Sequence, residues 1–328
     1  MYNSENQQDN FMKKRFFIFA TLFICSFLAV AQTDTTAVKH WKITNLAGIN
    51  INQTGYTQWA GGGQNSFSLG AFDNFSATYT KSRYLFDSYA NLGYGIMKQK
   101  SDDFWRKNDD KIDIMANNSW KFKADNAHWY YGVLFTMTSQ FANGYDYELG
   151  GQADSTLRST TFAPAYFNLA PGVSYRYEDR FSWFFSPCNG RMLVIADQRI
   201  ADLGMYGNTM EASSLDGNPV GKKVDLGMGL FTEARWKQPL TTGIEIDTKL
   251  RISNNYLDKR TENRWNFDID YLLMLNFKVN KYISANLRME ILYDDDTRIV
   301  REDGGEGAVM QLKEVVGIGF AWNFTNQK

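Results

Sequence analysis

The sequence predicts an all-β chain: a single antiparallel transmembrane β-barrel of about twelve strands, with short periplasmic turns and longer external loops. Three observations predict it. Side-chain polarity alternates with a period of two along runs long enough to match a tilted strand crossing a bilayer, about 9–11 residues. Strands of soluble sandwiches usually run about 5–6 residues. Aromatic residues, 16% of the chain, gather near the ends of the apolar faces, where half-wet rings suit the two membrane interfaces. The connections alternate between short and long, which assigns the periplasmic and external ends.

Composition narrows the alternatives. With a mean hydropathy of −0.42 and no repeated apolar runs of about 20 residues, the 328-residue chain cannot be a polytopic helical membrane protein. Thirty-five Lys+Arg against 36 Asp+Glu leave a net charge of −1, so there is no basic field to capture nucleic acid. Five prolines argue against Pro-rich linkers.

The elements follow in order. Lys13, Lys14 and Arg15 precede an apolar stretch over 16–30, and Ala29-Val30-Ala31 supplies small residues at signal-peptidase spacing. Residues 1–31 are therefore expected to be a cleaved signal peptide, residues 32–40 a short periplasmic lead, and residues 41–328 the outer-membrane barrel domain. Translation could equally start at Met12. Removal of Cys25 with the signal leaves Cys188 alone, so the exported chain has no internal disulfide.

Alternation marks strands over 112–122, 129–137, 167–177, 224–236, 244–252, 265–279, 283–293 and 312–324. In the run from 265, Trp265, Phe267, Ile269, Tyr271, Leu273 and Leu275 share one face, while Asp268 and Asp270 lie on the other. Short turns are expected at 81–83, 125–126, 178–180, 239–241 and 280–282. Longer loops are expected at 55–64, 99–108, 143–161, 254–263 and 294–308. The apolar segments number thirteen if 181–185 and 191–195 are separate. Strand direction allows one upward strand between 177 and 224, so 191–195 either extends that strand past a bulge or forms a rim hairpin. The count becomes twelve, with both termini periplasmic.

The polar face carries the candidate functional residues. Glu233, Arg235, Glu245, Asp247, Lys249, Arg251, Asp268, Asp270, Arg288 and Glu290 are expected to face the lumen from four consecutive strands. Unpaired buried charge is costly, so both signs at neighbouring positions imply a cross-linked lumen, either filled or leaving a narrow polar path. Large porins instead keep an aqueous channel inside about 16–18 strands.

Catalytic constellations find little support. Nucleophilic hydrolysis needs a serine beside an oriented histidine. The only histidines are His40, before the first strand, and His128, at an expected periplasmic turn, away from the external rim. An acidic dyad could be sought at Asp109-Asp110 or Asp294-Asp295-Asp296, but acidic loop runs are ordinarily solvated. Asp294-Asp295-Asp296 with Glu302, Asp303 and Glu306 could offer calcium oxygen ligands, without the spacing of an EF-hand loop. Residues 59–66 are Gly-rich but lack the Lys-Ser/Thr ending of a phosphate loop. No cofactor is therefore expected beyond that weak calcium site.

Several stretches carry a family likeness: Asn52-Gln53 with 58–62, Leu92-Gly93-Tyr94-Gly95, 106–113, Phe185-Ser186-Pro187, 279–287, 291–296 and 313–320. They resemble a family of Bacteroidota outer-membrane proteins catalogued as domain of unknown function 3078. The resemblance implies an outer-membrane barrel and brings no activity or site residues.

The expected function is a non-enzymatic outer-membrane barrel, structural or an accessory subunit of an outer-membrane assembly or secretion complex. A narrow transporter for a small polar or lipidic molecule is the alternative, and a rim hydrolase the third. The expected partners are outer-membrane lipid and other proteins of such a complex, with no nucleic acid.

Overall fold

A computed structural model describes residues 40–54, 66–99, 104–125, 128–147, 155–212, 218–258, 261–280, 283–295, 299–300 and 306–326. The signal segment, the Gly-rich residues 59–65 and part of the acidic loop lie outside the described residues.

Twelve strands close into one antiparallel barrel. They are β1 (Trp41–Thr54), β2 (Ser66–Lys81), β3 (Tyr84–Gln99), β4 (Arg106–Lys121), β5 (Trp129–Ser139), β6 (Ala165–Tyr177), β7 (Phe181–Val194), β8 (Val224–Thr241), β9 (Ile244–Ser253), β10 (Asp268–Lys278), β11 (Ile283–Tyr293) and β12 (Gln311–Thr325). Every strand pairs with its sequence neighbours, and β12 pairs with β1, so no edge is left open. Closure satisfies the backbone without water, the condition for crossing hydrocarbon.

The period-two pattern sorts the walls. On β5, Trp129, Tyr131, Val133 and Phe135 are exposed on the outside, while Tyr130, Leu134 and Thr136 are buried within. From β1 to β5 an aromatic belt follows the short-turn end of the outer face, the end expected to be periplasmic. Trp41 meets Tyr79, Tyr79 meets Tyr84, Tyr84 meets Trp120 and Trp120 meets Tyr131, with ring centroids 5.1–6.2 Å apart. Such pairs add to the burial of large apolar rings. One polar pair interrupts the outer wall: Asp73, midway along β2, accepts a hydrogen bond from Asn45 Nδ2 at 2.5 Å, and both are buried.

Residues 181–194 form one strand, which decides the alternative left open by the sequence. The register shifts between Leu169 and Val173 against β6, and between Gly229 and Phe231 against β8. Pro187 falls in this irregular stretch, where its missing N–H removes no ladder bond. Ser186 Oγ donates to Pro171 O at 2.7 Å and accepts from Cys188 N at 3.3 Å, repairing the bulge locally.

Three details differ from expectation. The strand expected from Trp265 begins at Asp268, because Thr261–Trp265 winds into a 3-10 helix and leaves Trp265 exposed at the rim. Alternation extends past the strand end because residues just beyond the bilayer can keep the same polarity pattern. The turn expected at 239–241 lies two residues later, since a bulge after Pro239 carries β8 on to Thr241. Most substantially, residues 195–212 and 218–223 fold into a cap at the long-loop end, the end expected to be external. It holds helix α1 (Gln198–Ala201) and a small hairpin of Met210–Ala212 with Pro219–Gly221. Ile195, Ile200 and Ala201 pack there with Ala163 and Leu193 over the barrel mouth. Burial pushes the Tyr206 phenol up to about 12, and its hydroxyl donates to Arg158 O at 2.8 Å.

A bridged lumen as candidate functional site

Three successive inward residues of β4, Asp109, Lys111 and Asp113, organise the lumen. Four strands separate β4 from β9 on one side of the barrel, and four separate it from β11 on the other. Bonds between these walls therefore cross the lumen.

At the waist, Asp113 is fully buried. It accepts from Lys249 Nζ at 2.6 Å and from Arg251 at 3.2 Å. Arg251 also donates to Glu233 at 2.5 Å and to the Tyr89 hydroxyl at 2.6 Å, and lies 3.7 Å from Asp270. Arg235 forks onto Asp247 with bonds of 2.9 and 2.6 Å. Both Arg235 and Lys249 also stand 5.3 Å from the Tyr89 ring centroid, within cation–π range. Tyr89, Met115, Leu134, Ala170, Phe184 and Phe231 fill the adjoining space as an apolar cluster. Each buried charge thus meets an opposite partner, which offsets its desolvation.

Nearer the external mouth a second bridge runs the other way. Lys111 donates to Glu290 at 2.7 Å, and Arg288 also binds Glu290. Asp109 accepts from Lys313 at 2.5 Å and from Arg288 at 3.4 Å.

All ten residues expected to face the lumen lie on the inward side of β8 to β11. Glu233, Asp247, Lys249, Arg251 and Asp270 join the waist network with Arg235, and Arg288 and Glu290 join the second bridge. Asp268 stands apart, 2.9 Å from Arg191 of β7. Glu245 lies at the periplasmic end, half exposed, 3.0 Å from Lys237. Sequence reading missed their partners Asp109, Lys111, Asp113, Tyr89, Arg191 and Lys313. The β4 triplet does alternate with Asp110, Ile112 and Ile114, which was the available signal.

The remaining candidates separate. Asp109 and Asp110 cannot act as a dyad, because neighbouring strand residues point to opposite faces. Asp110 instead turns outward, accepting from the backbone N–H of Phe141 and Ala142 at 2.7 and 2.8 Å. His40 Nδ1 sits 3.0 Å from Thr80 O and His128 Nδ1 2.8 Å from Arg176 O, both at the periplasmic end. The calcium candidates Asp296, Glu302 and Asp303 lie outside the described residues. Among the described residues no group of three or more His, Cys, Asp or Glu is placed to hold a metal ion.

Residues 51–145 match the family described as "Protein of unknown function (DUF3078)". The match supports membership of that family, and it includes β4 with its three inward charges. No curated protein matches the chain. Among solved structures, an outer membrane channel from Pseudomonas putida F1 is similar at 9% identity, over 89% of this chain and 100% of that one, with a TM-score of 0.37. The translocator domain of the autotransporter NalP from Neisseria meningitidis is similar at 11% identity, over 93% and 96%, with a TM-score of 0.34. The NanC porin is similar at 9% identity, over 84% and 98%, with a TM-score of 0.36. At these identities the likeness is one of barrel fold alone.

Proposed function

We propose that this chain is a non-enzymatic outer-membrane barrel closed at its waist, a structural or accessory subunit of an outer-membrane assembly or secretion complex. One observation carries the closed reading: Asp109, Lys111 and Asp113 of β4 are bonded to strands across the lumen on both sides. A conducting pore leaves its polar wall to water, whereas here opposed charges neutralise one another across the bore. Lipid is the first partner, met by the apolar outer wall and the aromatic belt.

The test is current across planar bilayers containing the purified barrel. Wild type should conduct little, and a steady open-channel current overturns the closed reading. Gentle affinity purification from outer membranes tests the accessory role, which fails if no stoichiometric partner copurifies. Cell fractionation and amino-terminal sequencing test export: the protein should sediment with outer membrane and begin at Gln32.

A narrow transporter is the second reading, favoured by polar cavities on either side of the waist. The external one is about 450 Å³ and includes Tyr166, Arg191 and Asp270 in its wall. The periplasmic one is about 380 Å³ and includes Arg176, Arg235 and Glu245. Solute uptake into liposomes without measurable ion current would favour this reading.

A further inference from the structure

The charge bridges do not fill the lumen evenly. Against β1, β2, β3, β10 and β11 a cavity of about 100 Å³ remains, lined by Asn50, Asn74, Asn91, Asn276 and Asn286. It exists because the inward positions Gly70, Gly93 and Gly95 carry no side chain. A Cβ on Gly93 would meet Asp109 Oδ2 at 3.3 Å, so glycine there keeps the cavity wall thin beside the bridge.

We propose that this cavity binds a small neutral polyol, a single saccharide ring or a cyclitol. Several features point to that chemistry. An amide both donates and accepts, as a hydroxyl does, so a wall of asparagines matches a ring of hydroxyls. Asn286 Nδ2 donates to Asn50 Oδ1 at 3.2 Å, whereas the side-chain amides of Asn74, Asn91 and Asn276 have no hydrogen-bond partner among the described residues. Arg288 lines the same cavity with its guanidinium engaged by Asp109 and Glu290, so the amides are the groups left to meet a ligand.

The charges at the cavity are balanced. Asp109 and Asp113 stand against Lys111 and Arg288, all engaged in the cross-lumen bridges. A charged ligand would find no uncompensated partner to offset its desolvation. Phe72 and Met274 supply apolar surface for the C–H face of a ring. At roughly 10–15 Å³ of such space per water, the cavity takes roughly seven to ten waters, enough for one saccharide ring and too little for a chain of them.

The site does not depend on whether the barrel conducts, so binding is measured separately from current. Refolded mature barrel in detergent micelles is tested by saturation-transfer NMR with D-glucose and myo-inositol as neutral probes, and glucosamine and glucuronate as charged ones. The neutral probes should receive saturation, and the charged ones should bind about tenfold more weakly. Gly70→Leu should abolish transfer by filling the cavity, since a Cβ there meets only Tyr94 O, at 3.9 Å. Asn74→Leu with Asn91→Leu should abolish it by removing the amides, and heat-modifiable gel migration checks that each variant is folded. Absence of transfer to wild type from both neutral probes overturns the proposal. So does undiminished transfer in a folded Gly70→Leu or a folded double variant, or equal binding of the charged probes.

Discussion

The two sides of the lumen solve the same problem in opposite ways. At the waist of the β4–β9 side, between the two larger cavities, ion pairs and an apolar cluster fill the space, and the buried charges are held by one another. On the side that runs through β1, β2 and β3, glycines and asparagines line a cavity that water or a ligand must satisfy. The waist is closed by protein, so removing one of its members strands the others in a dry place. The second side is wet, so removing one member leaves the rest solvated. Position within one bore, more than residue type, therefore sets the cost of a substitution.

The largest expected effect is on the filled side. Asp113→Ala leaves Lys249 and Arg251 short of a buried carboxylate and should destabilise the barrel by about 3–5 kcal/mol. Urea unfolding in micelles measures it, and bilayer current should rise as the waist loosens. A loss below about 1 kcal/mol would mean that this side is as wet as the other.

Leu250→Lys provides an external reference for the same barrel. Leu250 lies on the outer face of β9 between the waist residues Lys249 and Arg251 and pairs with Tyr271, so a lysine there should cost about 2–4 kcal/mol near the midplane. Normal folding of this variant, read by gel migration, would reverse the assignment of inside and outside.

Lys313→Met probes the edge of the filled region. Lys313 is 38% exposed although it bridges to Asp109, so the loss should be at most about 1 kcal/mol. A small rise in conductance with little change in urea midpoint is the expected result. A cost like that of Asp113→Ala would extend the dry zone to the external mouth.

Asn286→Ala, on the wet side, should change stability least, within about 0.5 kcal/mol. A urea midpoint shifted as far as in Lys313→Met would show that the cavity wall is as tightly bonded as the bridges.

The architecture was legible because it is repetitive. A period of two, read over each long run, sorts residues to two faces without knowing what either face meets. The alternation of short and long connections orients the ends. Local pattern failed where something local was irregular: it read a strand through Trp265 and missed the cap formed by residues 195–212 and 218–223. The cap's small apolar core is assembled from α1 and residues on either side of β6 and β7, contacts that leave no periodicity.

By itself, the sequence determined an alternating, aromatic-flanked chain able to form twelve strands and close a lipid-facing barrel. It also placed Glu233, Lys249 and Arg251 on the polar face. Only the tertiary structure decided that Lys249 and Arg251 find partners on β3 and β4, 136 to 162 residues away. It also decided that glycines hollow out the other side. The physical reason is closure: which inward residues meet across a lumen depends on strand number and register around the whole ring, and no window of sequence contains that information.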